Sequence, residues 1–191
     1  MAQFIVARRW SPPYSLSRNT ISDLGNTACG PYGARFVCSP LHGVMDASFV
    51  LLGVTMALGS AFLLRQADRG RGTTTGLALM AVAGIGAVMV GLFPENSVPE
   101  IHGVGAALSF LLGNAGITVL GWSLSLPAAL RLYSFLSGGI ALVALGFFVS
   151  EHYLGLGEGG LERVVAYPQA VWLIVVGVAL LLPRQDAVPA G

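Results

Sequence analysis

The chain has 191 residues, of which 54% are hydrophobic and 10% charged, against about a quarter charged in ordinary soluble domains. With a mean hydropathy of +0.75 there is too little polar surface to cover a water-soluble globule, so the composition places the chain in a bilayer. All ten basic residues are Arg and the net charge is +1, which provides no basic face for nucleic acid.

In chain order, Phe4-Ile-Val-Ala7 is a short apolar run stopped by Arg8-Arg9. It is far below the roughly 20 residues of a span and lacks the apolar core of a signal peptide. It is expected to be a surface anchor or the remnant of a longer first helix. Residues 11–40 form a polar stretch opened by Pro12-Pro13. Five apolar runs follow: Leu41 to Leu64, Thr73 to Phe93, Ile101 to Trp122, Ala128 to Ser150 and Arg163 to Leu182. Each is long enough to cross ~30 Å of hydrocarbon at ~1.5 Å per residue. Helices are expected, because an isolated strand leaves its backbone unpaired in lipid. The predicted fold is therefore all-α, a polytopic transmembrane bundle of five full spans. Residues 1–40 form an N-terminal remnant and polar loop, 41–183 the bundle, and 184–191 a short tail.

The connecting turns carry charge asymmetrically. Arg65, Arg69, Arg71, Arg131 and Arg184 fall on one side, and Glu95, Glu100, Glu151, Glu158 and Glu162 on the other, with Arg18, Arg35 and Arg163 as exceptions. The Arg-rich side is expected to be cytoplasmic. That puts the polar loop outside a bacterial inner membrane and the C-terminus inside. Cys29 and Cys38, the only cysteines, both lie in this loop, and Gly30-Pro-Tyr-Gly33 between them can turn the chain back. A disulfide is expected, worth up to ~2.7 kcal/mol by loop closure, with two unpaired thiols as the alternative.

Rows of small residues run along the spans: Ala83, Ala87 and Gly91; Gly105, Ser109 and Gly113; Ser134, Gly138, Leu142 and Gly146. They predict close helix packing. The polar residues that packing does not account for gather at the loop side. His42 and Asp46, four apart, share a helix face, and His102 opens the third span on that side. His152 joins them, as do Asp23, Glu95, Tyr167 and Gln169. Three readings fit this cluster: a buried hydrogen-bond network pinning the loop, a divalent metal site such as zinc on His42, Asp46 and His102, or acid/base and headgroup binding without metal. A Ser/His/Asp set built on Ser22 or Ser39 has no GxSxG motif behind it. Asp23, His42 and His102 are the catalytic candidates. Arg18, Asn19, Ser22, Asn26, Asp46, Glu95, Asn96, Tyr167 and Gln169 complete the candidate binding set. Asp23 is expected to pair with Arg18 or a histidine.

Several motifs in order, Tyr14-Ser-Leu-Ser-Arg-Asn-Thr-Ile-Ser-Asp-Leu-Gly25, Cys38-Ser-Pro-Leu-His42, Gly91-Leu-Phe-Pro-Glu-Asn96 and His102-Gly, resemble the bacterial membrane family labelled domain of unknown function 998. Ile21-Ser-Asp-Leu-Gly25 is more distantly similar to the Frag/DRAM/Sfk group of eukaryotic membrane proteins, some linked to lipid-anchor remodelling. The resemblance implies a six-span bundle, so the first span would be truncated here, and it leads one to expect Asn at position 46 more often than Asp. The expected function is binding or modification of a membrane-lipid headgroup in an outward-facing polar pocket, with no obligatory cofactor. A small-solute transporter is one alternative, marked inside the membrane only by Asn114, Thr55 and Thr118. A non-enzymatic scaffold for other membrane proteins is the other.

Overall fold

The computed structural model describes residues 2–11, 13–65 and 70–181. Helix α1 (Ala2–Ala7) is followed by a 3₁₀ turn (Ser22–Gly25) and a hairpin of β1 (Gly30–Tyr32) and β2 (Arg35–Val37). The spans are α2 (His42–Leu64), α3 (Arg71–Leu92), the compound third span α4 (Pro99–Ala107) with α5 (Gly113–Ser123), α6 (Ala128–Val149) and α7 (Gly157–Leu181). Among the described residues five helical segments are long and apolar enough to cross a membrane. The chain is an all-α polytopic bundle, as its apolar runs predict.

Helix α3 lies between α2 and the third span, and half of its most apolar window is buried, against 17% for α2. Glycine lets its backbone touch both neighbours. A Cβ on Gly84 would stand 2.6 Å from the Ala57 amide of α2, and one on Gly86 would stand 2.5 Å from the Gly105 carbonyl of α4. In lipid, where apolar side chains gain nothing by leaving their surroundings, such close approach is a main source of helix adhesion. Of the predicted rows, Gly91 meets the Asp46 carbonyl, Gly105 meets Met89 and Gly138 meets the Asn114 carbonyl, whereas Gly146 has open space around it. Helix α6 packs on α5 and α7, and α7 returns against α5.

Two interruptions shape the centre. Leu108–Leu112 forms a π turn inside the third span, which detaches a backbone carbonyl from its regular helical partner. The Gln169 amide of α7 donates to the Ser109 carbonyl there (2.8 Å). Pro168 interrupts α7 and removes one helical N–H. The nearby Val165 carbonyl accepts a bond from Asn114 Nδ2 (3.0 Å), which also donates to the Phe110 carbonyl (2.8 Å). The interior amides thus tie α7 to the third span through backbone carbonyls.

The fifth span departs from the sequence reading. It starts at Gly157 instead of Arg163, because Glu158, Glu162 and Arg163 are held by the polar loop and extend the helix. Gly157 has φ +76, and a Cβ on it would collide with the Ser17 carbonyl, so only glycine fits this entry. Within the hairpin Pro31 pairs with Phe36 and Gly30 with Val37, and Cys29 and Cys38, the next residues outward, form a disulfide. The reversal falls at Gly33 (φ +58) and Ala34, later than the sequence suggests. Leu182, Arg69, Arg184 and the tail 184–191 lie outside the described residues.

Candidate functional site

The loop that precedes α2 is folded down onto the helix ends, and its polar side chains are turned inward. Asn19, Thr20, Asp23, Asn26 and Ser39 are all buried, Asp23 completely. Its Oδ2 accepts bonds from Asn19 Nδ2 (3.1 Å), the Thr20 amide (3.0 Å) and Arg35 Nε (2.7 Å). Thr20 Oγ1 in turn accepts the Asp23 amide (2.9 Å). This reciprocal turn follows from the Thr-Ile-Ser-Asp spacing, which lets a short side chain cap a backbone N–H three residues away. Arg35 is the partner of Asp23, in place of Arg18 or a histidine; Arg18 is exposed. Arg35 also reaches Glu158 (2.7 Å). Burial by itself lowers its pKa, but the hydrogen bond and charge of Asp23, with Glu158 and Glu95, outweigh this and hold it above the usual value.

Glu95, in the turn between α3 and α4, completes this polar layer. Asn26 Nδ2 donates to its Oε1 (3.1 Å). Burial, then the adjacent Asp23 and the charge of Glu162, push its pKa up to about 9, with Arg35 opposing. Glu95 is therefore neutral at pH 7, and its carboxyl proton is the donor that suits Asp23 Oδ1, an oxygen with no other partner among the described residues. Asn96 exchanges two 3.1 Å bonds with Thr27.

On the α7 side, Glu162 is 3% exposed. It accepts the Ile21 amide, the Ser22 amide (3.4 Å) and the Ser22 hydroxyl (3.2 Å). Arg163, next to it, is 7% exposed and makes no ion pair with a carboxylate among the described residues. Its Nη1 donates to the carbonyls of Leu16 (2.9 Å), Asn19 (2.9 Å) and Gly159 (2.6 Å), and its Nη2 to the Tyr14 hydroxyl. Tyr14 passes its own proton to the Thr20 carbonyl (2.5 Å), and burial raises its pKa well above the usual phenol despite the opposing Arg163. One buried guanidinium thus ties the loop backbone at Leu16 and Asn19 to the first turn of α7.

The three histidines take separate partners. His42 Nδ1 lies 3.2 Å from Asp46 Oδ2, as their spacing predicts. The other Asp46 oxygen has no hydrogen-bond partner among the described residues and faces Gly25, where a Cβ would stand 2.5 Å away. His102 is buried in α4, with Nδ1 3.0 Å from the Phe93 carbonyl and Nε2 3.1 Å from Ser22 Oγ. His152 is exposed and bonds the Ser150 carbonyl (2.7 Å). His42, Asp46 and His102 do not converge, and among the described residues no three His, Cys, Asp or Glu side chains are disposed to hold a metal ion. Tyr167 accepts a bond from Gln3 of α1, and Gln169 lies deeper, on the Ser109 carbonyl. Ser39 donates to the Leu24 carbonyl (2.6 Å) and bonds no histidine among the described residues.

A cavity of about 390 Å³ opens beneath this layer, between the third span and α6. Its polar end is lined by Thr20, Ser22, Glu95, His102, Glu158 and Glu162, and its other walls by side chains such as Ala106, Phe110, Leu145 and Phe148. The sequence reading finds Ser22, Glu95 and His102 but not Glu158, Glu162, Arg35 or Arg163. Glu158 and Glu162 are four apart, the spacing of one helix face, and that is the signal a loop assignment conceals.

A bundle of five apolar helices capped by an inward-turned polar loop defines a multi-pass membrane protein. The model of the family described as "Protein of unknown function (DUF998)" matches residues 1–179, and the chain belongs to that family. No curated protein and no solved structure matches it.

Proposed function

We propose that the protein binds the polar head of a membrane amphiphile at the outer leaflet of a bacterial inner membrane, with the tail lying between the third span and α6. The observation that carries this reading is the two-sided lining of the 390 Å³ cavity, polar where it meets the loop and apolar below. That division matches a molecule with a hydrophilic head on a hydrocarbon chain. Asn114 and Gln169 spend their donors on backbone carbonyls, a structural use that favours this reading over a path for a small solute.

Orientation rests mainly on the disulfide, since such bonds persist in oxidising compartments. Arg65, Arg71 and Arg131 at the opposite end agree with it. Arg8, Arg9 and Arg18 belong to the loop end and weigh the other way, while Arg35 and Arg163 are consumed by internal bonds.

The test is extraction and mass spectrometry of lipids retained by the detergent-purified protein, compared with Ala106→Trp, which fills the cavity. Retention of a defined lipid class by the wild type and its loss in the variant supports the reading. Equal retention by both sinks it. Lipid analysis of a deletion strain then separates modification from binding, because only modification alters a headgroup or acyl class.

A further inference from the structure

The hydroxyl of Ser22 and the ring of His102 meet at the boundary where the cavity passes from polar to apolar lining. Ser22 Oγ lies 3.1 Å from His102 Nε2, and His102 Nδ1 lies 3.0 Å from the Phe93 carbonyl. A carbonyl only accepts, so the neutral ring carries its proton on Nδ1 and turns the bare lone pair of Nε2 towards Ser22. The third group that orients the base is thus the backbone at the end of α3. Nucleophile, base and orienting acceptor stand in the order that activates a serine. Ser22 is half-buried and His102 is almost fully so, which leaves the hydroxyl open to the cavity while the ring is fixed by packing.

We propose that Ser22 is a nucleophile that cleaves a carboxylic ester of the amphiphile bound in this cavity, with His102 as its base. This rests on the binding reading above. In a glycerolipid the ester lies where head meets chain, and that is the depth at which Ser22 and His102 line the wall, above Ala106 and Phe110. Ser22 Oγ forms a bond to the carbonyl carbon while its proton passes to His102 Nε2. The carbon–oxygen bond to the alcohol then breaks, and the leaving oxygen takes the proton from His102. Water adds to the acyl-Ser22 carbonyl, giving its proton to Nε2, and the carbon–Oγ bond breaks as Ser22 recovers that proton. The net change is ester plus water to carboxylic acid plus alcohol.

The surroundings bear on the charge that develops. Glu158 is paired with Arg35, and Glu95 is neutral, its pKa pushed up to about 9 by burial and by Asp23. Two of the three carboxyl groups lining the cavity are thereby kept from opposing an oxyanion at full charge. Glu162, 3.2 Å from Ser22 Oγ on its other side, is a second acceptor for the same proton and fixes the hydroxyl in the wall.

The experiment treats the full-length protein, in detergent with native lipid retained, with an alkyl fluorophosphonate, a probe whose phosphorus is attacked by activated serines with loss of fluoride. One adduct is expected, mapped to Ser22 by peptide mass, and absent in Ser22→Ala. His102→Gln, whose amide cannot act as the base, is expected to label about 100-fold more slowly. Wild-type protein that gains no adduct at Ser22 overturns the proposal without recourse to any variant. So does a His102→Gln protein that labels at the wild-type rate. Lipid retained without labelling leaves the binding reading standing and removes the ester cleavage alone. Labelling of Ser22 with no lipid retained removes the binding reading and keeps the activated serine.

Discussion

At the scale of single residues the loop end is a layer of buried charge in which each group depends on another. Glu95 is the clearest case. Its pKa of about 9 in the folded protein stands above the ordinary 4.5, so the folded state holds a proton that the unfolded chain releases between those two values. The stabilisation is fully present below about pH 4.5 and is lost as pH rises towards 9, at a slope of up to ~1.4 kcal/mol per pH unit. A melting series in detergent should show the wild type losing stability from about pH 5 to 9. Glu95→Gln, which donates to Asp23 at any pH, should lose less over that interval, and parallel curves for the two proteins would refute the assignment. Asp23 offers a second test. Replacing Arg35 with Met leaves a fully buried carboxylate without its cation, a loss of roughly 3–5 kcal/mol where such pairs are broken. The additional substitution Asp23→Asn should recover much of it, as read by the same melting curves. The density of hydroxyls and amides in residues 14–26 is visible in the sequence, as is the His42–Asp46 pair. The partner of Asp23 is not, because Arg35 reaches it through a hairpin whose register no periodicity reveals.

The helices themselves were the most legible elements, since a 20-residue apolar run in a bilayer has few alternatives. Their contacts were less so. Small residues recur on more than one face of α3, and the sequence does not say which face meets which neighbour. Gly84 towards α2 and Gly86 towards α4 make close crossings outside the predicted rows, whereas a Cβ on Gly146 would meet nothing within 4 Å among the described residues. Gly84→Leu and Gly86→Val should each shift the protein towards aggregated or low-melting species in size-exclusion chromatography. Gly146→Leu should leave the profile as it is, and equal damage from all three would remove the distinction. The start of α7 is hidden in the sequence because acidic and glycine residues resemble a loop when nothing is known of what they touch. The π turn at Leu108–Leu112 leaves no mark in an apolar run at all; it becomes intelligible only with Gln169 and Asn114 in place.

For the whole molecule, orientation is the property that the proposed function requires. A reporter active only after export, fused behind Gly191, should be inactive, and activity there would invert the bundle and place the cavity at the other leaflet. The cysteine pair gives an independent reading. Under denaturing, non-reducing conditions neither Cys29 nor Cys38 should accept a thiol reagent until reductant is added. A Cys29→Ser, Cys38→Ser protein should lose up to ~2.7 kcal/mol of stability by the loop-closure relation.

The bonds between the loop and α7 span 141 residues from Ile21 to Glu162 and 144 from Asn19 to Arg163. During synthesis the loop therefore emerges long before the helix that satisfies it. The Ile21 and Ser22 amides must wait without their Glu162 acceptor, and the Asn19 carbonyl without Arg163, while four spans are laid into the membrane. The disulfide and the hairpin require only neighbours in sequence and can form early, holding Arg35 near Asp23 in the interval. The last helix then acts as the closing step of assembly, and a nascent chain halted before Gly157 should display a loop open to proteases that the finished protein resists.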